Sequence, residues 1–254
     1  MADTMIGAQM YTIHEFTKTP ADVAKSCKKL REIGYRAVQV SAVGPIEKKE
    51  LRKILDGEGL VCAATHIGFN EMRDETERVV EEHEILGCKY PAIGGMPGEY
   101  KNAEGFPRFA REMSEVAAKL AEHGLTFGYH NHSFELTKFG DRTGLQILME
   151  ESDPKTVTFE IDTYWIQHGG GSPATWVRKA AGRIPLLHLK DMANAGGQQI
   201  MAEVGEGNLD WPAILEAARD GGTVWYLVEQ DTCQRDPFES LAISLRNLKA
   251  MGLR

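Results

Sequence analysis

Eight times along this chain a short apolar run is followed by a longer stretch with helical spacing, and that alternation limits its folds more than any single motif. The runs MIGAQM (5–10), YRAVQVSA (35–42), LVCAATH (60–66) and CKYPAIGG (88–95) read as strands. So do LTFGYH (125–130), VTFEID (157–162), IPLLHLKD (184–191) and TVWYLVEQ (223–230). The stretches between them, from PADVAKSCKKLREIG to PFESLAISLRNLKAM, are predicted helices that close on glycine or a short polar loop. In FPRFAREMSEVAAKLAEHG, for example, Phe109, Met113, Val116, Ala117 and Leu120 keep the helical period and Gly124 is the stop. An irregular polar stretch is expected between Asp191 and the helix DWPAILEAARDGG.

Most of the strands are continuous apolar runs, as parallel strands covered on both faces are. Eight strand–helix units in about 250 residues is the length of a (β/α)8 TIM barrel. A doubly wound open sheet is the weaker reading, because no G-x-G-x-x-G follows the first strand. No linker or composition break interrupts residues 1–254, which are expected to form one domain.

Composition narrows the class of partner. With 42% hydrophobic and 26% charged residues the chain reads as globular, and no apolar run approaches bilayer length, so no membrane contact is expected. The opening MADTMIGAQM has no basic segment leading into an apolar one. A net charge of −8, with both signs interspersed, argues against a nucleic-acid surface. Cys27, Cys62, Cys88 and Cys233 form no CxxC pair, and Cys62 and Cys88 fall in or beside apolar runs as buried thiols do, so a reducing cytoplasm is the expected location. No feature fixes an oligomer; a homodimer is the commonest default. His14, His83 and His123 are expected at the surface.

Polar groups gather at one end of the predicted strands. Their C-terminal ends carry Gln9, Gln39 and Ser41, His66, Gly94 and Gly95, His130 and His132, Asp162, His188 and Lys190, and Glu229 and Asp231. Their N-terminal ends begin on Met5, Tyr35, Leu60, Cys88, Leu125, Val157, Ile184 and Thr223. Active sites of such barrels lie at the C-terminal face. Singly, Asp162 reads as a helix cap, His188 as a satisfied core histidine and Glu229 as half of an ion pair. Jointly, an Asp, a His and a Glu on three successive strands, with His130, His132 and Glu135 on a fourth, make a nitrogen and oxygen shell suited to Mn²⁺, Mg²⁺, Co²⁺ or Zn²⁺. Lys190 follows His188 by two residues and shares its face; its bland alternative is a pair with Asp191. Trp165 suits a wall for a sugar ring or plain packing, and His66 suits substrate contact or a cap of the next helix. His168 and the glycines after it suit a loop admitting substrate or a simple connection. The GEG at 205–207 lacks the lysine of a phosphate-binding loop.

The segments GYHNHSFEL, FEIDTYWIQHGG, GRIPLLHLKD, VGEGNLDWPAIL and DPFESLAISLRNL resemble the sugar phosphate isomerase/epimerase family of the xylose isomerase-like TIM barrels. That group includes inosose dehydratases, ketose 3-epimerases, hydroxypyruvate isomerases and endonuclease IV, and the similarity runs across essentially the whole chain. The resemblance implies a metal held by Glu, Asp, His and a second Glu at the ends of strands five to eight. Asp162, His188 and Glu229 match the last three. The position of the first holds His130, and the nearest acid is Glu135: either His130 replaces the carboxylate or Glu135 folds back from the loop to complete the set, the second being the favoured expectation.

The implied activity is a metal-dependent isomerase or epimerase acting on a keto-sugar or polyol-derived hydroxy-carbonyl compound. An α-proton is abstracted and the enediolate charge is stabilised by the metal. His132, Glu135 and Glu229 are the expected proton-transfer groups, with Lys190 polarising an oxygen. His66, His130, Trp165 and Lys190 are expected to touch substrate. A lyase or dehydratase on an inosose or 3-keto-glycoside is the alternative outcome at the same site; an endonuclease IV-like nuclease and a non-catalytic sugar-binding barrel are the weaker ones.

Overall fold

A computed structural model describes residues 5–253. Residues 1–4 and 254 of the expected domain lie outside them. The barrel strands are β1 (Met5–Gln9), β2 (Ala37–Val40), β3 (Val61–His66) and β4 (Pro91–Ile93). They are followed by β5 (Phe127–His130), β6 (Val157–Asp162), β7 (Leu186–Leu189) and β8 (Trp225–Val228). Each pairs in parallel with its sequence neighbour, and β1 pairs with β8, which closes the barrel. Helices return the chain between strands, including Pro20–Ile33, Lys48–Glu58, Thr76–Leu86 and Gly105–Glu122, and the helix Pro237–Ala250 follows β8.

The outward strand faces pack on the helices: Val38, Phe127, Ile161, Leu187 and Tyr226 meet Leu30, Leu51, Phe109, Val177 and Leu245 in one apolar layer. The inward faces divide by height. Small groups and three large ones fill the lower interior, with Ala37, Ala64 and Ala92 packed with Leu186, Trp225 and Leu227. Gly7 belongs to this tight layer: a Cβ there would come within 2.8 Å of Leu227. Because side chains alternate along a strand, the residues two further on form the next interior layer. There the polar strand ends meet.

Two sequence expectations are corrected. The polar stretch after β7 is an antiparallel hairpin, Asp191–Ala195 with Gln198–Ala202, turned by Gly196 and Gly197, both at positive φ. That backbone matches the right-handed strand twist and is open to glycine without strain. His83 is buried, its ring bonded to Thr65 Oγ1 (2.8 Å) and the Val79 carbonyl (2.7 Å).

The GEG segment is held by Asp191. This buried carboxylate accepts from the backbone N–H groups of Met192 (2.7 Å), Gly205 (2.9 Å), Gly207 (3.1 Å) and Leu209 (3.2 Å), and from Trp211 Nε1 (2.6 Å). A Cβ at Gly207 would fall 2.3 Å from Asp191 Oδ1, so glycine is required there. Asp191→Ala strands several buried donors at once and is expected to destabilise the protein by roughly 3 kcal/mol or more in urea unfolding. A loss below about 1 kcal/mol would show that this loop does not depend on Asp191.

Candidate active site

The stretch YHNHSFE leaves β5 at the barrel mouth, and each polar residue in it has a separate fate. Asn131 Oδ1 accepts from the backbone N–H of Asp162 (3.0 Å), tying the ends of β5 and β6 together. Glu135 turns away from the barrel axis and is fully buried, accepting from Tyr129 Oη (2.8 Å) and the backbone N–H of His132 (3.0 Å). Burial, partly offset by these two bonds, raises its carboxyl to about 7. Glu135 thus lies apart from the strand-end acids and braces the loop that carries His132, while His130 stands among them.

His130, Asp162, His188 and Glu229 each offer one ligand atom, and these atoms lie within 4.8 Å of one another, all four residues being buried. Asp162 uses Oδ1 to cap the helix Thr163–His168 through Trp165 N (2.8 Å), while Oδ2 pairs with Lys190 Nζ at 3.0 Å. His130 Nδ1 has no hydrogen-bond partner. Buried polar atoms without partners are rare and call for a reason. Two imidazoles and two carboxylates, with His130 Nδ1 unpartnered, fit a first-row divalent ion.

Lys190 penetrates the same cluster. Its Nζ lies 3.0 Å from Asp162 Oδ2, 2.7 Å from Glu229 Oε2 and 3.1 Å from Asp231 Oδ2, with no exposure. It pairs with these three acids, and Asp191 is occupied by its loop. Burial alone would lower the ammonium pKa; the surrounding carboxylates overcome that and raise it. Burial would likewise raise the Glu229 carboxyl, but the charges of Lys190 and His188 hold it far below the usual range.

Glu160, two residues before Asp162, received no role from the sequence, yet it is fully buried at the centre of the polar layer. It accepts from Gln39 Nε2 (2.8 Å), meets His66 Nε2 at 2.7 Å and lies 3.2 Å from His188 Nε2. Burial opposes its ionisation; the charges of His188 and His66 outweigh that and keep it ionised. The signal was present: the two-residue step that links Lys190 to His188 also links Glu160 to Asp162.

Above this floor opens a cavity of about 550 Å³, lined among others by Tyr11, His66, His130, His132, Trp165, Met201, Glu229 and Asp231. His132 and Trp165 face each other with ring centroids 5.3 Å apart. Burial, partly offset by the Asp162 carboxylate, lowers His132 to about 4, so its imidazole is neutral at pH 7. Burial raises Asp231 to about 6 against the pull of Lys190. Thus the predicted residues His66, His130, His132, Trp165 and Glu229 share one cavity wall, with Asp162, His188 and Lys190 packed against its floor. The glycines after His168 are a packed connection: a Cβ at Gly169 would lie 2.9 Å from Leu136, and one at Gly171 would lie 2.8 Å from Trp176 Nε1.

A closed parallel barrel with ionisable strand ends gathered under an open cavity at its C-terminal mouth has the form of a TIM barrel with its polar groups at the face where such barrels carry their sites. More narrowly, the family model of the xylose isomerase-like TIM barrel matches residues 27–251, and the chain belongs to that family. Among curated relatives, the inosose dehydratase of Geobacillus thermodenitrificans (strain NG80-2) is 31% identical, over 81% of this chain and 82% of that protein. The rhizopine catabolism protein MocC of Rhizobium meliloti is 23% identical, over 88% and 79% of the two chains. In structure, a sugar phosphate isomerase/epimerase from Parabacteroides distasonis ATCC 8503 superposes with a TM-score of 0.81 at 22% identity, covering 100% of this chain and 96% of the other. An L-ribulose 3-epimerase superposes with a TM-score of 0.73 at 16% identity, covering 100% and 95%. At these identities the structural matches speak to fold. Among the described residues no helix is long and apolar enough to cross a membrane.

Proposed function

We propose that this chain is a divalent-metal-dependent isomerase or epimerase of a keto-sugar or related hydroxy-carbonyl compound. The observation that carries the reading is the buried quartet His130, Asp162, His188 and Glu229, whose ligand atoms lie within 4.8 Å of one another beneath the cavity. These four residues would hold the ion. When bound, it supplies Lewis-acid stabilisation of the negative charge that develops on the substrate's carbonyl oxygen as an α-proton leaves.

The remaining work falls to the chain's own side chains. His132, neutral at pH 7 and without a hydrogen bond at Nδ1, accepts the proton from the substrate carbon. Glu229, at the cavity wall, is the second proton-transfer group. Lys190 stays cationic and keeps the acids beside it ionised. Trp165 and His66 form opposite parts of the wall against which the sugar is oriented. Glu135 acts indirectly, through the backbone of His132.

A second reading is dehydration of an inosose at the same site, favoured by the relative of that name at 31% identity. Both begin with loss of an α-proton, and one experiment separates them. Keto-sugars and inososes are incubated with the protein and Mg²⁺ in D₂O and followed by proton NMR. Deuterium at the α-carbon with retention of every hydroxyl supports the isomerase or epimerase, and release of water supports the dehydratase. A panel in which no compound exchanges its α-proton would sink both.

A further inference from the structure

A second cavity, of about 220 Å³, adjoins the main one, and both have Ser41, Ala42 and His66 in their walls. It reaches from the ends of β2 and β3 toward the helices Lys48–Glu58 and Thr76–Leu86. The boundary has an unusual backbone. Ala42 is the one non-glycine among the described residues at positive φ (52°), where an L residue persists only if its surroundings hold it. Here they do: the Gly44 N–H donates to the Thr17 carbonyl (2.7 Å), and a Cβ on Gly44 would run into the Lys18 carbonyl. A small side chain is thus fixed where the two spaces meet.

The charges of the side cavity are already matched. Arg78 donates from all three guanidinium nitrogens, Nε to Glu75 (2.7 Å), Nη1 to Glu82 (2.8 Å) and Nη2 to Glu71 (2.9 Å). Lys48 Nζ lies 3.4 Å from Glu82. Two cations thus face three acids, and a phosphate or carboxylate entering here would meet surplus negative charge. A neutral hydroxylated group meets no such repulsion, since the carboxylates keep lone pairs and Lys48 keeps N–H groups for its hydroxyls. Val43 and Ile67, both half-buried, offer apolar surface to its C–H faces. Cavities of about 300–1,000 Å³ enclose drug-sized ligands, so the main cavity alone exceeds the needs of one sugar ring. We propose that the substrate is a neutral two-ring glycoside, its keto ring over the buried quartet and its second, hydroxylated ring in the side cavity. The place of the first ring rests on the function proposed above; the matched charges bear on the second alone.

The test fills the side cavity. Gly68 lines it, has a backbone open to any L residue (φ −63°, ψ 138°), and a Cβ there meets first the movable carboxylate of Glu71 (3.1 Å). Gly68→Phe therefore adds bulk, and Gly68→Ala is its control. Calorimetry of the full chain with glucose, a glucose phosphate ester and neutral glucose disaccharides of different linkage reads binding without turnover. At least one disaccharide is expected to bind roughly 10-fold or more tighter than glucose, while the phosphate brings no gain. Gly68→Phe is expected to abolish the disaccharide's advantage and Gly68→Ala to keep it, thermal melts showing that both are folded. The proposal is overturned if no disaccharide binds tighter than glucose, if the phosphate ester binds tightest, or if Gly68→Phe leaves the advantage intact. Should Gly68→Phe fail to fold, the linkage and phosphate series on the unsubstituted protein still decide. Exchange of the α-proton in D₂O is scored separately on the keto forms of the same sugars. Exchange in none of them counts against the isomerase and dehydratase readings, while the binding series decides the side cavity on its own.

Discussion

Asparagine at Asp162 combined with alanine at His188 is expected to reduce bound divalent metal from about one equivalent to none and turnover by at least roughly 10³-fold, on the order of 4 kcal/mol of transition-state stabilisation. Asp162 has two duties, since Oδ1 caps a helix through Trp165 N while Oδ2 pairs with Lys190 Nζ at 3.0 Å. Asparagine keeps an oxygen for the cap, worth about 1 kcal/mol, and loses the charge. Alanine at His188 removes the imidazole that bridges Gln39 and Glu229. Metal analysis of protein purified without chelator, alongside the D₂O assay, checks the outcome. A variant that keeps stoichiometric metal would mean that the ion sits elsewhere.

The barrel was legible because its signal repeats: eight apolar runs, each closed by a helical stretch, leave little choice of topology. The hairpin after β7 was harder, because its strands, DMANA and QQIMA, show no clean alternation and its distal half is exposed. Its Gly196–Gly197 pair was the available cue. At the site, polar residues at strand ends stood out against apolar runs, which is how Asp162, His188, Lys190 and Glu229 were found. Glu160 lies inside a run, and a reading confined to strand ends passes over it. The destination of Glu135 is different in kind. It is decided by the hydroxyl of Tyr129 across the β5 turn, a tertiary contact that no spacing rule encodes.

Methionine at Lys190 is expected to leave a folded protein whose stability depends on an added cation. The native ammonium has no solvent exposure and sits within 3.1 Å of Asp162, Glu229 and Asp231. Methionine fills a similar volume but leaves these carboxylates facing one another. Breaking a buried ion pair from one side typically destabilises by about 3–5 kcal/mol. For a chain of this size that corresponds to a fall in Tm of roughly 10 °C or more when measured in EDTA. Mn²⁺ should reverse much of the loss, because it returns positive charge to the same carboxylates; at about 100 times its Kd a ligand of the native state contributes roughly 2.7 kcal/mol. In the unsubstituted protein the same addition should raise Tm by less, since the ion must share Asp162 and Glu229 with Lys190. Melting curves of both proteins, in EDTA and in Mn²⁺, give four numbers, and the difference of differences isolates the competition. If Mn²⁺ shifts both by the same amount, the ammonium and the ion do not share these acids. If Lys190→Met melts with the unsubstituted protein in EDTA, the three carboxylates do not need a cation in order to pack together.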